Sequence, residues 1–189
     1  MAGKKPKPGR SGKPRAKSAG RNDTLVSAAM LDLAVEQITK RLKLDRSWDI
    51  PYLAGYSRDG KTIYIDRHLP RSYEFRGRRI SVDPFLILHE AVEKALLSRL
   101  GLVYQLAHQI ALRAEEAAVR AAGIPWRSYD RFMQRHIKDA GDENLQRIPL
   151  DLDIKPYRDE HDTEVLKAML KTRKRELARS RRGGKAADR

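Results

Sequence analysis

The sequence predicts an α+β fold: an N-terminal helix, a β-hairpin, two antiparallel helices carrying the candidate site, and a basic C-terminal helix. Three observations predict it. Apolar residues recur at helical spacing in "TLVSAAMLDLAVEQITKRLKL", in 84–100 and in 102–122. An Asp59-Gly60 pair stands between "YLAGYS" and the β-branched, aromatic run "TIYID", which is a hairpin signal. Glycines 101 and 123 sit where the two middle helices should stop.

In chain order, Asp23 or Thr24 caps the first helix, and Lys40, Arg41 and Lys43 occupy its last turns, where the dipole favours cations. The hairpin follows "DRSWDIP", and "RHLPRSYEFRGRRIS" reads as loop. Asp83 caps the next helix with Pro84 in its first turn, and that helix runs to about Leu100. A second runs from Leu102 to about Ala122, with Pro125 beyond it. "WRSYDRFMQRHIKDAG" reads as a short helix with Trp126 and Tyr129 as packing anchors. "DENLQRIPLDLDIKPYRDEHD" reads as irregular, and "TEVLKAMLKTRKRELARSRR" as a basic helix that frays.

The formal charge of +15 belongs to the ends. Residues 1–22 carry eight Lys/Arg and no acid, and 167–189 carry ten against two acids, which leaves 23–166 at a net −1. The expected organisation is therefore a disordered basic tail over 1–22, one α+β domain over 23–166, and a basic, partly helical tail over 167–189. Such tails suit nucleic acid through phosphate neutralisation, or act as solubilising segments; with no aromatics among the charges, base stacking is not indicated. No cysteine is present, so disulfides and thiolate metal sites are excluded, and His, Asp and Glu are left as strong metal ligands. No apolar run approaches the roughly 20 residues of a membrane span, and the N-terminus lacks a signal-peptide core; the expectation is a soluble cytoplasmic protein.

The chemistry concentrates in "LILHEAVEKALL", Leu86 to Leu97. On a helical wheel His89 and Glu93 fall inside the sector of Leu86, Leu96, Leu97 and Leu100, while Glu90 borders it. The next helix repeats the anomaly. Gln105, Gln109, Arg113, Glu116 and Arg120 make its solvent arc, with Leu102, Leu106, Ile110 and Ala114 opposite. His108 and Glu115 fall outside that arc, beside Tyr104, Ala111, Leu112 and Val119. Two neighbouring helices thus each present one His and one Glu from a buried face. A metal explains their convergence; a metal-free His–Glu hydrogen-bond network is the competing structural reading.

This arrangement resembles the zincin metallopeptidases, especially small ones of gluzincin type, in which a hairpin precedes a helix bearing H-E-x-x-H. "DGKTIYIDRHLP" resembles the edge strand and exit loop, and "LILHEAVEKALL" the active-site helix, with the likeness covering about residues 50–122. Glu93 stands where the second motif histidine would be. The resemblance implies a small zincin-like domain with a swapped His2Glu zinc set of His89, Glu93 and His108. It implies Glu115 as a fourth ligand or a supporting partner, and Glu90 as the general base.

The expected function is a zinc-dependent hydrolase, most simply a metallopeptidase acting on a peptide or protein. The alternative is a nucleic-acid-binding or packaging-associated protein, its tails active and its core structural or a degenerate zincin. Iron in a carboxylate-bridged pair ranks below zinc, since the E-x-x-H spacing of such sites is missing. His68, with Asp66 just after a strand, is a weaker candidate for the site, and His136 and His161 weaker still.

Overall fold

The computed structural model describes residues 42–142 and 145–186, with helical positions scattered over 29–41. The arm expected over 1–22 and the first turn of the N-terminal helix, at Asp23 or Thr24, lie outside the described residues. The fold is α+β: two small sheets, then helices.

Strands β1 (Lys43–Trp48), β2 (Ala54–Tyr56) and β3 (Thr62–Asp66) form a sheet in the order β1-β3-β2. The Asp59-Gly60 hairpin is present: β2 runs antiparallel to β3, and Gly60 takes the positive φ of 70° that a tight turn needs. β1 corrects the sequence reading. Lys43 and Leu44 do not close the N-terminal helix but pair in parallel with Thr62 and Ile63 of β3. Pairing with a distant strand overrides a helical period that the local sequence alone supports.

The segment expected as loop after His68 is also corrected. It holds a second hairpin, β4 (Ser72–Phe75) and β5 (Arg78–Ser81), turned at Arg76 and Gly77 with φ of 50° and 73°. Asp83 is corrected too. It sits inside the first turn of α1 (Asp83–Arg99) and makes no capping hydrogen bond; instead it pairs with the guanidinium of Arg46 at 2.6 Å.

Helices α2 (Tyr104–Ala121) and α3 (Trp126–Asp142) follow, with Gly101 and Gly123 at positive φ in the connections as expected. The α1–α2 pair is long and antiparallel. Its buried stripe on α2 runs through Tyr104, Ala107, Ala111, Glu115 and Ala118, while Leu106 is 49% exposed. Glu115 thus lies on the core face itself, with His108 at its edge. The stretch read as irregular contains α4 (Lys155–Asp159), and α5 (Thr163–Ala186) crosses residue 167 unbroken, burying Met169.

Alternation along β3 divides the core. Ile63 and Ile65 point to one face, where they join Phe85, Leu86, Val119 and Tyr129; Tyr64 points to the other, against Ile148, Leu152, Tyr157 and Met169. The sheet is therefore covered on both faces, and α1 lies along it with its His89–Glu93 edge turned toward α2. Among the described residues no helix is long and apolar enough to cross a membrane.

Candidate metal centre

His89 and Glu93 lie one turn apart on α1 and are both buried. The antiparallel return of α2 sets His108 opposite them. The three donor atoms face one another: His108 Nδ1 lies 3.0 Å from Glu93 Oε2 and 3.3 Å from His89 Nε2, and His89 Nε2 lies 3.7 Å from Glu93 Oε2. This is a buried His/Glu/His group able to hold a metal ion. The His108 side chain is 36% exposed, so the group opens toward solvent on the α2 side.

Two of the three side chains are hydrogen-bonded through their other polar atom, and the third is held by ring stacking. His89 Nδ1 meets Glu115 Oε2 at 2.9 Å, and the Tyr129 hydroxyl of α3 donates to Glu115 Oε1 at 2.8 Å. The Tyr56 hydroxyl of β2 donates to Glu93 Oε1 at 3.3 Å. The His108 ring stacks on Tyr104, centroids 5.6 Å apart. Of the predicted residues, His89, Glu93 and His108 come together as one group, and Glu115 meets the far nitrogen of His89.

The group consists of acids and imidazoles, and among the described residues no Lys or Arg lines the cavity beside them. Burial opposes a charge on His89, but its bonds to Glu115 and Glu93 outweigh that and carry it up to about 10. Burial, reinforced by the neighbouring Glu93 charge, pushes Glu90 up to about 8 against the pull of His89. Glu93 is held low, since bonds from His108 and His89 overcome the effect of burial. Burial, with the nearby Glu93 charge, drives the Tyr56 phenol well up, so it stays a donor.

A cavity of about 340 Å³ adjoins the group, and Glu90, Glu93, His89 and His108 all line it. Sequence reasoning missed Tyr52, Tyr56 and Tyr157 in its walls and took Tyr129 for a packing anchor alone. "YLAGYS" held a signal for two of them: tyrosines in a short strand-like run have to aim their hydroxyls somewhere. His68, His136 and His161 do not line the cavity. His68 belongs with Asp49 and Asp66 to a second acidic cluster. There the carboxylates accept backbone N–H groups, Asp49 from Gln146 and Arg147 and Asp66 from Ile50 and His68, which ties the sheet to the 145–150 segment. His136 packs on Phe132, and His161 sits at positive φ between α4 and α5.

The chain matches no family model, no curated protein and no solved structure.

Proposed function

We propose that His89 Nε2, His108 Nδ1 and Glu93 Oε2 bind one zinc ion, and that the protein is a zinc-dependent hydrolase, most simply a peptidase. One observation carries this reading. The three ligand atoms are 3.0, 3.3 and 3.7 Å apart. Zinc bonds of about 2.0–2.1 Å in a tetrahedron set neighbouring ligand atoms about 3.3 Å apart, so the triangle already has the size the ion needs. Three protein ligands leave the fourth position for water, the composition of catalytic rather than closed structural sites.

The chain's residues then divide the work. Glu115 fixes the orientation of His89 through Nδ1, and Tyr129 fixes Glu115 in turn. Glu90 follows His89 in sequence and lines the cavity; a bound zinc ion would supply the positive charge that returns its raised carboxyl to the ionised form, and Glu90 would then hold the proton taken from water. The hairpin β2–β3 before the His-Glu helix supports a zincin-like reading of the fold, with Glu93 and His108 exchanging the usual ligand types.

The test is metal analysis of the purified protein, followed by hydrolysis of a peptide library by wild type and Glu90→Gln. One zinc per chain in both, with cleavage by wild type only, supports the proposal. A protein that takes up no zinc after dialysis against it overturns the metal site; zinc without cleavage overturns the hydrolase.

A further inference from the structure

The walls of the cavity carry more acid than a metal site uses. Glu90, Glu93, Glu115, Asp130, Asp153 and Glu160 line it, and among the described residues no Lys or Arg does. All of these acids fall within 23–166, where acids and bases nearly balance at a net −1, so gathering six acids and no Lys or Arg on one wall is a local segregation of charge. Asp153 is neutralised by Lys94 at 2.9 Å from outside the cavity. Glu93 and Glu115 are engaged with the imidazoles. Glu90 faces the reacting centre. Asp130, from α3, and Glu160, after α4, are left on the rim, the first half-buried and the second exposed.

Aromatic side chains line the same cavity. Tyr52 and Tyr157 stack in parallel, centroids 5.8 Å apart, and Tyr52 is 42% exposed. Its hydroxyl donates to Asp162. Tyr104 and Trp126 complete the apolar wall. Aromatic faces beside unneutralised carboxylates recognise cations, and they disfavour anions by desolvation and repulsion. The volume, about 340 Å³, lies at the lower end of the roughly 300–1,000 Å³ of small-ligand pockets, enough for one long side chain beside the metal.

We infer that the cavity selects a cationic group: the substrate is a peptide presenting a lysine or arginine side chain next to the bond at the metal, held by Asp130, Glu160 and the Tyr52–Tyr157 stack. This rests on the zinc reading, and the experiment separates the two. Nα-acetylated hydroxamates of lysine, leucine and glutamate each chelate zinc through the same group and differ only in the side chain offered to the cavity. Their affinities are measured by calorimetry on the full-length, zinc-loaded protein, with zinc content determined on the same sample.

The lysine compound should bind tightest and the glutamate compound weakest. The double variant Asp130→Asn, Glu160→Gln should lose about threefold to tenfold in lysine-hydroxamate affinity, the scale of two partly screened charges, and leave the leucine compound unchanged. Both substitutions lie off the buried core and preserve shape, so zinc content should stay at the wild-type level. A zinc-loaded protein that binds all three alike, or glutamate best, overturns the inference and leaves the metal site standing. Equal loss of all three compounds in the double variant also overturns it. A protein without zinc ends both.

Discussion

Glu115 Oε2 lies 2.9 Å from Nδ1 of His89, on the opposite side of the ring from the nitrogen that faces Glu93 and His108. Such a bond fixes which ring nitrogen is free to ligate. Glu115→Ala removes it and leaves the Tyr129 hydroxyl, in a fully buried residue, without its acceptor. The expected result is zinc affinity lower by roughly 10–100-fold in competition with a chromogenic chelator. Stability should fall by about 1–3 kcal/mol, the cost of an unsatisfied buried donor. Unchanged affinity would show that Glu115 supports the core and nothing else.

How much of this site the sequence discloses depends on where the information sits. His89 and Glu93 are four apart, so the helical period alone placed them on one face. His108 and Glu115 were found the same way, because polar residues outside the solvent arc of α2 are conspicuous. The tyrosines were not. Tyr56 reaches Glu93 from a strand and Tyr129 reaches Glu115 from a third helix, and neither approach is periodic. Leu106 misled in the other direction: a leucine opposite the polar arc reads as core, yet here the core stripe runs through alanines and Glu115.

The fold shows the same division. Asp59-Gly60 is legible because a turn is local chemistry. The β4–β5 turn escaped notice because Arg76 holds positive φ, a position usually filled by Asn, Asp or Gly. β1 escaped because its partner is β3, beyond the intervening β2, and parallel pairing leaves no local mark.

Gly55 exposes one consequence of packing behind the cavity wall. A Cβ there would stand 3.0 Å from the Tyr157 hydroxyl and 3.1 Å from Leu152 Cδ1. Leu152 is fully buried, and the Tyr157 hydroxyl reaches the carbonyls of Pro51 and Ala54. Neither can retreat without disturbing its neighbours. Gly55→Ala should cost about 1–3 kcal/mol by overpacking. That is a fall in melting temperature of roughly 2–4 °C per kcal/mol for a chain of this size. A melting temperature equal to wild type would show that Tyr157 yields freely.

The pH dependence of the metal-free protein has a definite sign. His89 is carried from its ordinary 6.5 up to about 10. Its stabilising contribution is therefore full below pH 6.5 and lost as pH rises through 10. Glu90, moved from 4.5 up to about 8, acts in the same direction, since folding favours its protonated form. Chelator-treated protein should thus melt at progressively lower temperature from pH 6.5 to 10. Zinc requires neutral imidazole and ionised carboxylate, so the loaded protein should lack that decline. Thermal melts of both forms across this range make the check, and parallel curves would argue against a shared set of groups.

The decisive comparison lies between two glutamates of one helix, Glu90 and Glu93. Glu93 stands one turn after His89 with Oε2 within 3.0 Å of His108 Nδ1, so it belongs to the triangle; Glu90 lines the same cavity but shares no hydrogen bond with either histidine. Glu93→Ala should abolish stoichiometric zinc uptake. It also leaves His89 and His108 facing each other, centroids 4.9 Å apart, without their shared carboxylate, so the metal-free variant should be less stable than metal-free wild type. His108→Ala should lose zinc with a smaller stability cost, because its side chain is partly exposed. Glu90→Gln should bind zinc as wild type does and lose hydrolysis, since an amide cannot accept the proton of the attacking water. Mass spectrometry under native conditions reads the zinc content of all three variants, and thermal melts with and without chelator read the rest. Wild-type zinc content in Glu93→Ala would dissolve the metal centre into a buried hydrogen-bond network among two histidines and their acids.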